Sequence, residues 1–419
     1  MSHAAVTTAV KKREIFGWCC FDFANSAFTT VIITVVYAVY FQNVVAQGVR
    51  SAPAWWGGAL AVSQLVVILV SPWVGAMADL RANKKTWLMF TAVLCSLATA
   101  ALYFAGPGNI WLALALVMVA NIAFAMSENL CAGFLPEIST PENAGRISSY
   151  GWSFGYFGGL ASLLLALAVI QSGAGRVPWT FVMTGGFFLL ASLPTLLLLR
   201  ERARPRVLPP GQGLFAAGWA SNWRLLHELP QHRTLAIFFV ALTFFTAGLV
   251  AVVAFASVFA SEVLHMQQQE IIVLFVVLQL AGVAGAYAFG FMQDRAGAKP
   301  ALVISLMLWI VVCLWAAFCQ TKMEFYLIGV LAGIGMGSLQ SAGRAVVSTL
   351  TPPERSGEFF GFWGFFTKLA GVVGQPVFGG IAAACGFRVA VLGNTVFFII
   401  GLLILLRLPL PRPRQAQDC

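Results

Sequence analysis

GFMQDRAGAK, Gly290 to Lys299, breaks an apolar stretch with a compact charged turn. Gly290 is followed by Asp294 and Arg295, then by Gly297 and Lys299. A second turn, GAMADLRANK, runs from Gly75 to Lys84. Gly75 and Gly290, Asp79 and Asp294, and Lys84 and Lys299 are each 215 residues apart in a chain of 419. An offset close to half the chain marks two related halves, each with this turn after its second apolar segment.

The chain is 60% hydrophobic and 10% charged. A soluble domain carries about a quarter charged residues, so the composition belongs to the membrane class. The net charge of +10 does not point to nucleic acid, because the bases fall in short loops. A spanning helix needs about 20 apolar residues. Twelve segments qualify: 15–41, 55–79, 86–105, 110–134, 148–171, 178–199, 234–260, 269–292, 300–319, 325–349, 359–384 and 388–407. They are numbered spans 1 to 12 below. Lys11, Lys12 and Arg13 before span 1 resemble a signal-peptide start. The apolar run that follows is too long for an h-region, so span 1 is expected to be retained.

Loop charge sets the expected orientation. Nineteen Lys and Arg fall in the segments on the same side of the membrane as the N-terminus and four, Arg50, Arg176, Lys322 and Arg388, in the loops on the other side. This bias predicts cytoplasmic termini, with both turns on the cytoplasmic face of a plasma (inner) membrane. The chain divides into an N-terminal six-helix bundle (1–199), a cytoplasmic linker (200–233) and a C-terminal six-helix bundle with a short tail (234–419). The linker opens basic and proline-rich; Gly213 to Leu229, with Leu214, Trp219, Trp223 and Leu226, has the pattern of a short amphipathic helix on the membrane surface. A tether between bundles is a sufficient role for it. Glycines spaced by four, Gly151, Gly155 and Gly159, and Gly329, Gly333 and Gly337, predict close helix packing.

Charges inside spans are costly and mark function or buried pairs. Four stand out: Asp22 in span 1, Glu128 in span 4, Arg344 in span 10 and Lys368 in span 11. Asn25 shares the face of Asp22, and Asn121 that of Glu128. Gln340 precedes Arg344 by one turn, and Gln375 follows Lys368 by two. These polar stripes are the candidate solute and proton path. Two readings stand side by side. An acid pairs with a base and latches the halves, or acids and bases flank a solute bearing both charges while one acid exchanges a proton. The turn residues Gly75, Asp79, Lys84, Gly290, Asp294, Arg295 and Lys299 are expected to fasten the cytoplasmic face, an Asp capping a neighbouring helix.

The pattern G-x-x-x-D-(R/K)-x-G-x-(R/K), complete in the second turn and partial in the first, resembles the loop motif of the major facilitator superfamily. The second copy fits it; the first has Leu80 for a base and Ala82 for a glycine. That inequality suggests unequal latches. FDFANSAF (21–28), FLPEI (134–138), GYFGG (155–159) and the long run Gly337–Gly379 further resemble the vacuole-effluxer-like branch. The resemblance implies an all-α fold of twelve transmembrane helices in two pseudo-symmetric bundles. It also implies alternating-access secondary transport, with fungal members associated with amino-acid export. Asp22, Asn25, Gln340, Arg344, Glu358 and Lys368 stand at its motif positions. Ala342-Gly343 and Gln375 depart from it.

Other classes fit less well. The four histidines, His3, His227, His232 and His265, lie outside the spans, and the eight cysteines show no metal spacing. No nucleophile elbow or phosphate loop occurs, so neither an enzyme nor an ATP-driven pump is expected, nor a cofactor or metal. The expected partners are a small solute, protons and the bilayer, with the protein acting as a monomer. Transport of a sugar, peptide or drug, or solute sensing without transport, are the alternatives.

Overall fold

The computed structural model describes residues 10–49, 51–173, 175–203, 205, 213–228 and 232–410. Most of the proline-rich linker start, Arg50, Arg412, Arg414 and Cys419 lie outside these residues. Among the described residues, twelve helical spans are long and apolar enough to cross a membrane: Lys12–Val45, Trp55–Arg81, Lys84–Phe104, Ile110–Ile138, Ala144–Gln171, Trp179–Leu198, Arg233–Leu264, Glu270–Ala296, Ala298–Phe318, Lys322–Leu350, Pro353–Cys385 and Phe387–Leu406. Each covers the segment read from composition, with ends differing by a few residues. No strand occurs among the described residues. One extra helix, Leu214–Glu228, lies in the linker.

Each half has its own apolar core. One buried cluster runs from Trp18 to Leu199. The other is built from Leu235 to Leu410, with Ala132 added. The halves meet where span 2 packs on span 11 and span 5 on span 8. Glycine permits these approaches: a Cβ on Gly75 would overlap the Gly357 carbonyl, and one on Gly290 would overlap Ser149. The stripe Gly329, Gly333 and Gly337 lets span 10 lie against Leu274, Leu278 and Gly282 of span 8.

Span 1 is irregular. It is α-helical from Lys12 to Ala27, then adopts the wider π geometry over Phe28–Val35 and again over Phe41–Val45. The first π segment, FTTVIITV, is rich in β-branched residues, which crowd the preceding turn of an α-helix. Thr34 Oγ1 donates to the Thr29 carbonyl five residues back, at 2.8 Å, in keeping with the wider turn.

The two charged turns differ in backbone. Gly297 has φ +96°, and Ala82 at the matching place has φ +50°. Ala82, at ψ +49°, is in the left-handed helical region, which alanine accepts at a cost of about 1 kcal/mol, whereas Gly297, at ψ +163°, is in a region essentially open to glycine alone. The linker helix rests on span 2, with Gly218 against Met77 and Trp73, and leaves Trp219 and Trp223 exposed.

Candidate functional site

The four intramembrane charges form two pairs. Arg344 Nη1 lies 2.8 Å from Asp22 Oδ2, joining span 10 to span 1 across the halves. Arg344 Nε donates to Ser148 Oγ at 3.1 Å, and Nη2 donates to the Ser148 carbonyl at 2.9 Å. The guanidinium also faces the rings of Trp18 at 4.6 Å and Trp152 at 5.4 Å. Both charged side chains are largely buried; the guanidinium is well satisfied, whereas Asp22 Oδ2 has the ion pair and no further hydrogen bond. Gly151 makes room for it. A methyl there would overlap Asp22 Oδ2 and sit 2.6 Å from Arg344 Nη2.

The second pair is looser. Lys368 Nζ lies 3.6 Å from Glu128 Oε2, and each side chain is 23% exposed. Both border a cavity of about 130 Å³ between the halves, together with Gln340, Arg344, Trp152 and Trp363. Gln340 Oε1 accepts from Tyr156 at 3.2 Å. Lys368 is twelve residues into span 11, about 18 Å along it, so this space lies near mid-span. A larger cavity of about 250 Å³ lies farther from the linker face. Its walls are apolar and aromatic except for Thr29, Thr30, Thr34 and Gln279.

Four expected path residues line neither cavity: Asp22, which is engaged by Arg344, and Asn25, Asn121 and Gln375. Asn121 donates to Ser63 Oγ at 2.6 Å, tying span 4 to span 2 within one half. Asn25 is buried. Gln375 shares the face of Lys368 but lies about 10 Å farther along the helix, beyond the smaller cavity.

At the linker face, the first turn is wired across the halves. Asp79 Oδ1 and Oδ2 accept from the backbone N–H groups of Gly357 and Glu358 at 3.0 and 2.8 Å. The carboxylate thus caps the first turn of span 11, where four amides otherwise lack partners. Lys84 lies 3.6 Å from Asp79 and is bonded to Glu137 and Ser356. The second turn mirrors this. Asp294 accepts from the Arg146 amide at 3.1 Å, at the start of span 5, and its carboxylate lies 3.7 Å from Arg146 Nε. Lys299 donates to the carbonyls of Leu406 and Leu408, and Arg295 is exposed. The latches are unequal, but the copy with the poorer motif is the more buried and better connected.

Ser148, Trp18, Trp152, Glu137 and Ser356 complete the site; Glu137 lies in FLPEI and Ser356 in the run Gly337–Gly379, and no local signal marks the other three. No cluster with metal-binding composition occurs among the described residues.

A profile of the vacuole effluxer Atg22-like family matches residues 59–418. An uncharacterized MFS-type transporter of Bacillus subtilis, YxiO, is 25% identical over 94% of both chains. Autophagy-related protein 22 of Cryptococcus neoformans is 28% identical over 64% of this chain and 49% of its own length. The chain therefore spans about half the length of that fungal relative. Among solved structures, the human organic anion transporter MFSD10 superposes with a TM-score of 0.78 at 13% identity, covering 94% of this chain and 99% of that one. This likeness gives the major facilitator fold.

Proposed function

We propose, for a chain that belongs to the vacuole effluxer Atg22-like family and is a multi-pass secondary transporter, that its solute is an amino acid or related zwitterionic metabolite, exported in exchange for protons. One observation carries the reading: a loosely paired Glu128 and Lys368, 3.6 Å apart, face a mid-span cavity shared with Arg344. A solute carboxylate can take the place of Glu128 beside Lys368, while its ammonium takes the place of Lys368 beside Glu128. Displacing this loose, partly exposed pair costs little, because its charges are already partly hydrated. Asp22 and Arg344 act instead as the central lock, since Asp22 lines neither cavity and the Arg344 guanidinium is already engaged by Asp22, Ser148 and two tryptophan rings. When the pair at Glu128 opens, the acid is free to exchange a proton with the solvent that enters. The fungal relatives' association with autophagy and the family's effluxer description support export.

The linker face is assigned to the cytoplasm of a plasma-membrane protein on the loop-charge bias. The path lies within one chain, which fits action as a monomer. A second reading, an apolar or drug-like solute, is favoured by the larger apolar cavity. Counterflow of labelled amino acids in proteoliposomes separates the two. Glu128→Gln and Lys368→Gln are expected to abolish it while lowering thermal stability by no more than about 1 kcal/mol. Undiminished counterflow in both variants would remove the solute-facing role.

A further inference from the structure

The described ends of the linker are fastened to the closed face. At its start, Glu201 accepts from the Lys84 and Lys85 amides at 2.7 and 3.2 Å, capping span 3. The Arg202 amide donates to Glu137 at 2.8 Å, and its guanidinium to Glu14 at 2.8 Å. All of these partners belong to the N-terminal half. The helix Leu214–Glu228 then rests on span 2, also in that half.

Its last described residue does something else. Glu228 Oε2 accepts from Arg355 Nη1 at 2.6 Å, and Arg355 Nε donates to Glu358 at 2.8 Å. Arg355 leads into span 11, in the C-terminal half, two residues before the Gly357 amide that Asp79 holds. The helix is therefore docked on one half and tied by its end to the element of the other half that must leave when the linker face opens.

We propose that the linker helix is a clasp. Through Glu228 and Arg355 it favours the state closed on the linker face, and it lets go together with the Asp79 cap. The linker thereby acts on the transport equilibrium rather than only joining two bundles. A charge pair that exists in one state and is lost in the other shifts their ratio by its full differential strength. The side chains of Arg355 and Glu228 are 20% and 26% exposed. Their pair lies between a buried bond and a solvated one, so removing it is expected to raise the open fraction about three- to tenfold.

The inference rests on alternating access and not on the identity of the solute, so its test uses no solute. Ser348 is buried on span 10, one turn beyond Arg344 and on the face turned to the N-terminal half. With Cys385 replaced by serine and Ser348→Cys introduced, maleimide labelling in nanodiscs reports opening of the linker face. The protein without Ser348→Cys supplies the background. Glu228→Gln is expected to speed labelling about three- to tenfold, and Arg355→Gln by at least as much. The double variant should match Arg355→Gln alone. Glu262→Gln, an exposed acid near the opposite face, should leave the rate unchanged. An unchanged rate in Glu228→Gln, or full additivity in the double variant, would overturn the clasp. Crosslinking of Glu228→Cys with Arg355→Cys tests the contact independently of any effect on folding, and its failure would also overturn the proposal.

Discussion

Gly357→Ala isolates the contact between the halves from the stability of each. A methyl on Gly357 would lie 2.8 Å from the Gly75 carbonyl oxygen and 2.8 Å from Asp79 Oδ1. Ordinary contact begins near 3.4 Å, so span 11 must retreat from span 2 by about 0.6 Å. That retreat stretches the Asp79 bonds to Gly357 and Glu358, now 3.0 and 2.8 Å, to the edge of hydrogen-bond reach. Each is charge-assisted and worth roughly 1.5–3 kcal/mol. Partial loss of both, with the steric term, disfavours the closed state by about 2 kcal/mol. The equilibrium then moves roughly 30-fold, since 1.4 kcal/mol is a factor of ten.

Alanine is also the better helix former, by up to about 1 kcal/mol. That gain is common to the open and closed states and cancels between them. The expected outcome is therefore a thermal midpoint that is unchanged or raised, with Ser348→Cys labelled roughly 30-fold faster. Faster labelling with a collapsed midpoint would mean simple unfolding. An unchanged labelling rate would refute the claim that the span 2–span 11 contact holds the face shut.

Two further outcomes follow from the buried charges. Asp22→Asn leaves the Arg344 guanidinium buried without its counter-charge and should cost about 3–5 kcal/mol, read by thermal or denaturant unfolding. A loss under about 1 kcal/mol would mean that Ser148 and the tryptophan rings hold Arg344 unaided. Burial raises the Glu201 carboxyl above its ordinary 4.5, with the Lys85 and Lys84 amides opposing the rise. A carboxyl raised in the folded state gives stability that is greatest below the unfolded value and is lost as pH rises through the folded one. Glu201→Gln should flatten the decline of thermal stability above pH 4.5. Parallel curves for the two proteins would remove Glu201 from that slope.

The spans were legible because the bilayer demands a length and a composition that local sequence must supply. The turns were legible as a repeat, and the capping role of their aspartates followed from chemistry. Which amides they cap was not legible. Asp79 and Glu358 are 279 residues apart, and no local pattern encodes such a pairing. The pairing of Asp22 with Arg344 rather than Lys368 is hidden for the same reason. Gly151 reads as one member of a packing stripe, yet it makes room for an ion pair. Motif quality also misled. Ala82 strains the first turn, but Lys84 in that turn reaches Asp79, Glu137 and Ser356, partners that no motif match can count. The linker looked like a tether because its composition says nothing about where Glu228 ends up.

The two aspartate caps differ in how much water reaches them. The side chains of Asp79 and Lys84 are 0% exposed, whereas those of Arg146 and Asp294 are 43% and 13% exposed. Dissolved ions screen the second contact over roughly 8 Å at physiological strength and scarcely reach the first. The closed face thus has a dry edge along spans 2 and 11 and a wet edge along spans 5 and 8. Added salt therefore weakens the contact along spans 5 and 8 more than the one along spans 2 and 11, so the two edges answer ionic strength unequally.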